Sequence, residues 1–193
     1  MVPALTNYEM KLVIDREVLL TKNRIIQKVY ELFGSLSEDY KSRFNIESLF
    51  TENETDSKIS RGENYKGLPY VILDYPRNFA RVDVFAIRTF FWWGNFFSIT
   101  LQLGGKYQQK YFAAIQKVIN QNKFEGWSIG CAANAWEHHF ENDNYLPIQK
   151  EKDYRLSTLP YVKIAKKIPL VKWDEVELFL IENFTFLIKV LYS

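Results

Sequence analysis

The chain has 193 residues, enough for one domain with a sizeable core, and no linker divides it. Lys and Arg (25) nearly balance Asp and Glu (23), so no global field favours nucleic acid or an anionic membrane. The single cysteine, Cys131, excludes an internal disulfide framework and a cysteine-rich zinc site, and it suits a reducing compartment.

The first residues, MVPALTNYEMKLVIDRE, lack the basic start and long apolar stretch of a secretory signal. From Asp15 to Phe33, apolar residues return every three or four positions, which predicts an amphipathic helix stopped by Gly34. Ser35 or Ser37 would cap a second helix through Phe50, making a helical hairpin. Residues 51–64 are polar and rich in turn formers and read as a surface loop. Leu68 to Tyr75, bounded by Pro69 and Pro76, reads as a first strand.

The centre of the chain is the run from Val82 to Leu103. Eight of the 32 aromatic residues fall between Phe79 and Phe97, and the apolar runs on either side meet at Gly94-Asn95. If those two residues are the loop of a hairpin, Trp93 faces Phe96, Phe90 faces Ile99 and Arg88 faces Leu101. One face is then almost wholly apolar. The other mixes rings with hydroxyl and amide groups, pairing Phe91 with Ser98, Thr89 with Thr100 and Ile87 with Gln102.

After Gly104-Gly105, a helix is expected from Lys106 to Asn120, with Tyr107, Tyr111, Phe112, Ile115, Val118 and Ile119 in one stripe. Trp127 to Cys131 reads as a strand, and 132–144 (AANAWEHHFENDN) as either strand or helix. The lysines of Tyr161 to Lys167 suggest an edge strand, since edge charges deter pairing with other chains. Asp174, with Glu177 three residues on, would cap a final, mostly buried helix ending near Leu191. That helix is interrupted by Glu182, Asn183 and Lys189 and is too short to cross a bilayer comfortably, so a cytoplasmic, soluble protein is expected. The whole predicts an α+β domain: an antiparallel sheet around a central hairpin, packed against about four helices.

Two groups of residues carry candidate chemistry. Arg88 falls on the apolar face, where an unpaired guanidinium would cost several kcal/mol. It requires an internal carboxylate such as Asp74 or Asp83, a bulge that turns it to solvent, or an anionic ligand gripped by its planar donors. The ligand reading makes Arg88, Thr89, Phe91, Trp93, Phe96, Ser98, Thr100 and Gln102 a small-molecule or partner site.

The second group holds both histidines. As a strand, Glu137, His139 and Glu141 would share a side and offer a one-histidine, two-carboxylate metal corner; as a helix, His138 and Glu141 would be neighbours. Glu137, His138, His139 and Glu141 are therefore the candidate metal ligands of an alternative, enzymatic reading, although adjacent histidines do not match H-E-x-x-H. A solvated polar strand end is the plainer account of them. Cys131 beside either histidine is a further nucleophile-and-base candidate, against its ordinary use as a small core residue. The third functional reading is self-association through an exposed aromatic face, giving a homo-oligomer.

No phosphate-binding G-x-x-x-x-G-K-S/T, no G-x-G-x-x-G after a strand and no G-x-S-x-G elbow is present, and FFWWGNFF does not match the RNA-binding RNP1 pattern. No cofactor is indicated. The segments GLPYVILDYPRNF and FAIRTFFWWGNFFSITLQLGGKY, within residues 64 to 107, resemble the central part of an uncharacterised conserved bacterial family. That resemblance implies no activity and assigns no catalytic residue.

Overall fold

The computed structural model describes residues 2–43 and 56–193. Helices α1 (Asn7–Ile14) and α2 (Arg16–Arg43) precede strands β1 (Lys58–Tyr65), β2 (Leu68–Phe79), β3 (Val84–Trp92) and β4 (Phe96–Leu103). Helix α3 (Gly105–Asn120) leads to β5 (Ser128–Gly130), β6 (Tyr145–Pro147) and β7 (Val162–Pro169). A 3-10 turn (Leu170–Glu175) then runs into α4 (Val176–Leu191). The strands form one antiparallel seven-stranded sheet in the order β1-β2-β3-β4-β7-β5-β6. The α+β class, the antiparallel sheet and the number of helices are as the sequence predicts, although α1 is not among the helices expected and α2 takes in two helices read as separate. No helix among the described residues is long and apolar enough to cross a membrane.

Several local expectations fail for identifiable reasons. Gly34 does not stop the first helix. Ile26, Val29, Phe33, Leu36 and Tyr40 are all buried and keep one helical stripe across it. A mid-helix glycine costs only about 1 kcal/mol, less than the burial it would forfeit by breaking that stripe. Ser37 is thus a buried helix residue and not a cap; 44–50 of the expected second helix lie outside the described residues. Part of the expected 51–64 loop is β1, an edge strand whose polar residues face water. Strand β2 runs on through Pro76 because its register with β3 shifts between Asp74 and Arg77, a bulge at which proline's missing N–H does no harm.

The central hairpin is the most consequential correction. Trp92 pairs with Phe96, Phe90 with Ser98, Arg88 with Thr100 and Ala86 with Gln102, one residue away from the expected register. Trp93, Gly94 and Asn95 together make the loop: the Asn95 N–H donates to the Trp92 carbonyl (3.0 Å), which puts Gly94 (φ 72°) third in the turn instead of first in a two-residue loop. One step of register exchanges the partner residues between faces.

Phe85, Ile87, Phe91, Phe97, Ile99, Leu101 and Leu103 therefore share the face that packs under α2, α3 and α4 with Val71, Leu73, Val162 and Ile164. Trp173 of the 3-10 turn closes over Phe91 and Phe97. Strand β7 lies inside the sheet, between β4 and β5, and is no edge; its Lys163 is buried. Helix α4 begins at Val176, after the 3-10 turn, so Asp174 does not cap it as expected. Helix α3 starts at Gly105, in a left-handed conformation (φ 55°) where a Cβ would collide with Asp83. The Asp83 carboxylate instead accepts from the Lys106 N–H (2.8 Å) and caps the helix from outside.

Candidate functional site

The other face of the sheet carries Ile72, Asp74, Arg88, Phe90, Trp92, Phe96, Ser98, Thr100, Gln102 and Lys163. It is covered by residues 131–144, a strap between β5 and β6 that forms neither the strand nor the helix expected of it. An irregular segment has backbone N–H and C=O groups with no partners of its own, so the sheet must supply them. Lys163 donates to the carbonyls of Ala135 (3.4 Å) and Glu137 (2.9 Å) and to Asn144 Oδ1 (2.9 Å). All three protons of its ammonium are used. Gly130 on the neighbouring strand leaves room for its stem, since a Cβ there would press on Lys163 Cβ and Cε. Loss of hydration pulls the Lys163 ammonium down to about 8, partly offset by the Glu137 charge.

Tyr65, at the end of β1, is the second fastening. Its oxygen accepts the N–H of His138 (2.7 Å) and of His139 (3.1 Å). Its one proton is offered to Glu137 Oε2 (2.9 Å) or His139 Nδ1 (3.0 Å). Burial pushes this phenol up to about 12, so it stays protonated. Asn144 donates to the His139 carbonyl and Tyr161 to that of Ala132.

Arg88 is the third fastening and is paired internally. Its Nε donates to Asp74 Oδ1 (2.7 Å) and its Nη2 to Asp74 Oδ2 (2.9 Å), a two-pronged clamp across adjacent strands. Nη1 donates to His138 Nε2 (3.3 Å), and the guanidinium lies under the rings of Trp136 and Phe79. Burial, then the charges of Arg88 and Lys163, holds His138 well below the usual imidazole range, so the ring is neutral and able to accept.

The residues gathered from sequence as a ligand site do not surround one space. Thr89 and Phe91 are buried on the helix side, and Trp93 is half-buried in the loop and packs toward that core. Phe96, Ser98, Thr100 and Gln102 lie on the opposite face, buried with Arg88 beneath the strap. The candidate metal ligands are separated as well. His138 points inward to Arg88, and Glu137 approaches the Nδ1 side of His139 (3.4 Å). His139 Nε2 turns outward to Asp143 Oδ1 (3.0 Å), and Glu141 completes a group whose donor atoms lie within 4.8 Å of one another. The hydrogen bond from His139 holds the Asp143 carboxyl below its ordinary range.

The sequence placed Asp143 in the histidine and carboxylate cluster that runs from Glu137 to Asp143, though not among the named ligands, and assigned no role in the site to Tyr65, Lys163 or Asn144. Asp143 had a signal in its spacing from His139; Tyr65, at the end of a stretch read as loop, had none. Cys131 is exposed and its thiol donates weakly to the Asn142 carbonyl (3.5 Å), not to either histidine. Comparison with protein-family models, with curated proteins and with solved structures finds no match for this chain.

Proposed function

We propose that this protein is a self-associating binding domain whose contact surface is its N-terminal arm, α1 and the first turns of α2. The observation that carries the reading is that no residue of α1 is buried, although Tyr8, Met10, Leu12, Val13 and Ile14 are all large and apolar. Val18 and Leu19 continue the exposed surface into α2, and burial begins only near Ile26. Each such side chain gains roughly 1.5–3 kcal/mol when covered, and an isolated helix as short as α1 is marginal in water. The Thr6 capping box with Glu9 specifies where the helix starts, so the segment is built to be helical when it is covered.

A second copy of the same arm suits the charges. Laid antiparallel about the Leu12–Val13 midpoint, Glu9 of each copy meets Arg16 of the other and Lys11 lies over Ile14, an isologous pairing with no net field to attract phosphate. Sedimentation velocity over a wide concentration range tests the reading: the native chain forms dimers, and Val13→Lys/Ile14→Lys leaves monomers with an unchanged melting temperature. A native chain that stays monomeric at the highest concentrations overturns it.

A further inference from the structure

We infer that the outward turn of the strap, from His139 to Asp143, is a binding site for a divalent transition-metal ion, with His139 Nε2 and the carboxylates of Glu141 and Asp143 as ligands. The three donor atoms already lie within 4.8 Å of one another. Ligand atoms around a tetrahedral ion stand about 3.4 Å apart, from bond lengths near 2.1 Å. Glu141 and Asp143 are both exposed, so rotating their side chains closes that gap without moving the backbone.

A second observation, on the opposite side of the imidazole, points the same way. The His139 ring is buried, and its far nitrogen Nδ1 faces a carboxylate, Glu137 Oε2 at 3.4 Å, and the Tyr65 hydroxyl at 3.0 Å. A carboxylate behind the non-ligating nitrogen is the arrangement that orients metal-bound histidines and raises their basicity. The Tyr65 hydroxyl, itself hydrogen-bonded to Glu137 (2.9 Å), holds that carboxylate in place.

The proton balance closes within the cluster. Without an ion, the ring's Nε2–H donates to Asp143 and its Nδ1 accepts from Tyr65. With an ion, Nε2 gives its lone pair to the metal, the ring carries its proton on Nδ1 facing Glu137, and Tyr65 donates to Glu137 alone; no net proton is released. The backbone of the turn is fixed independently, by Asn144 N–H and Tyr145 N–H to the Glu141 carbonyl and by the Asn144 side chain between His139 and Lys163.

One imidazole with two carboxylates selects ions such as zinc or manganese(II) over calcium and magnesium, which prefer all-oxygen shells. Three protein ligands leave at least one position for water or a ligand atom, as in catalytic rather than structural ions. Lys66, whose ammonium lies 3.5 Å from Glu141, is the internal competitor for the site.

Calorimetric titration of zinc chloride into chelator-stripped full-length protein tests the inference. One zinc binds per chain; Asp143→Asn and Glu141→Gln each weaken it at least tenfold, and Glu137→Gln, which touches no ion, weakens it about 10–100-fold. Lys66→Ala tightens binding several-fold, and Cys131→Ser leaves it unchanged. Circular dichroism melts of the surface variants Asp143→Asn and Glu141→Gln match the native protein, separating lost ligands from lost structure. Absence of zinc binding in the native chain overturns the site. So does binding that survives Asp143→Asn but disappears in Cys131→Ser, which would place the ion on the thiol.

Discussion

The two faces of the sheet are covered in different ways. On one, three helices bring their own satisfied backbones, so the contact is apolar: Phe91, Phe97, Ile99 and Ile164 against Phe33, Phe184 and Leu187. On the other, the strap of residues 131–144 brings open carbonyls and amides, which buried Lys163 and Asn144 and half-buried Tyr65 answer, while Arg88 of the Arg88–Asp74 pair bonds the strap's His138 ring. An irregular cover requires charged and hydroxyl groups in the interior, and those groups also hold the outward turn at His139 in place.

The comparison breaks most sharply on the helix side. Phe97→Ala empties a fully buried ring site beside Phe33, Phe91 and Trp173 and is expected to cost about 4 kcal/mol in urea unfolding. On the strap side, Arg88→Met strands the Asp74 carboxylate and should cost about 3 kcal/mol, whereas Asp74→Leu/Arg88→Met should regain most of that loss because an apolar pair carries no desolvation penalty. A double variant as unstable as the single one would show that the pair does more than neutralise itself.

Lys163→Met is smaller in global stability, about 1–3 kcal/mol for the acceptors it orphans, but should raise hydrogen exchange and proteolysis within 131–144 selectively. The same lysine gives the strap side a pH signature. With a folded value near 8 against 10.5 for the free group, the burial penalty is complete below pH 8. Between pH 8 and 10.5 the unfolded chain binds the extra proton, so this contribution to stability rises with pH. Tyr65 and Tyr75, raised to about 12 from 10.0, act oppositely above pH 10, where the folded state keeps protons the unfolded state has lost. Urea titrations from pH 7.5 to 10 should show the native protein gaining on Lys163→Met; parallel curves would mean that Lys163 titrates normally. The mildest change is Gly34→Ala in α2, where an added Cβ meets nothing within 4 Å, and it should raise stability by about 1 kcal/mol.

Much of the helix side was legible in the sequence because apolar periodicity reports it directly: the α3 stripe and the α4 run appear where the pattern puts them. The strap side was not, because no periodicity marks an irregular segment or its partners. Lys163 looked like an edge charge since its neighbours in β7 are apolar either way, and only the sheet order shows it to be interior. Tyr65 sits at the end of a mostly polar strand, KISRGENY, in which no alternation of apolar residues marks an inward face. The hairpin misreading shows how little separates the two faces: one residue of loop moved Ser98, Thr100 and Gln102 from the face of Thr89 to the face of Arg88. Arg88 nevertheless had to find a counter-charge, and Asp74, one of the two carboxylates named for it, supplies it.

The strand order also has a consequence for the chain as it leaves the ribosome. Strand β4 is flanked by β3 and β7, and β7 lies roughly sixty residues downstream, beyond α3, β5 and β6. Until Pro169 has emerged, the apolar strand FFSITLQL has one open side, and the β5–β6 pair has no sheet to join. The nascent domain thus carries a vacant, aggregation-prone seam from the completion of β4 at Leu103 until Pro169, and the arrival of β7 is the event that closes it.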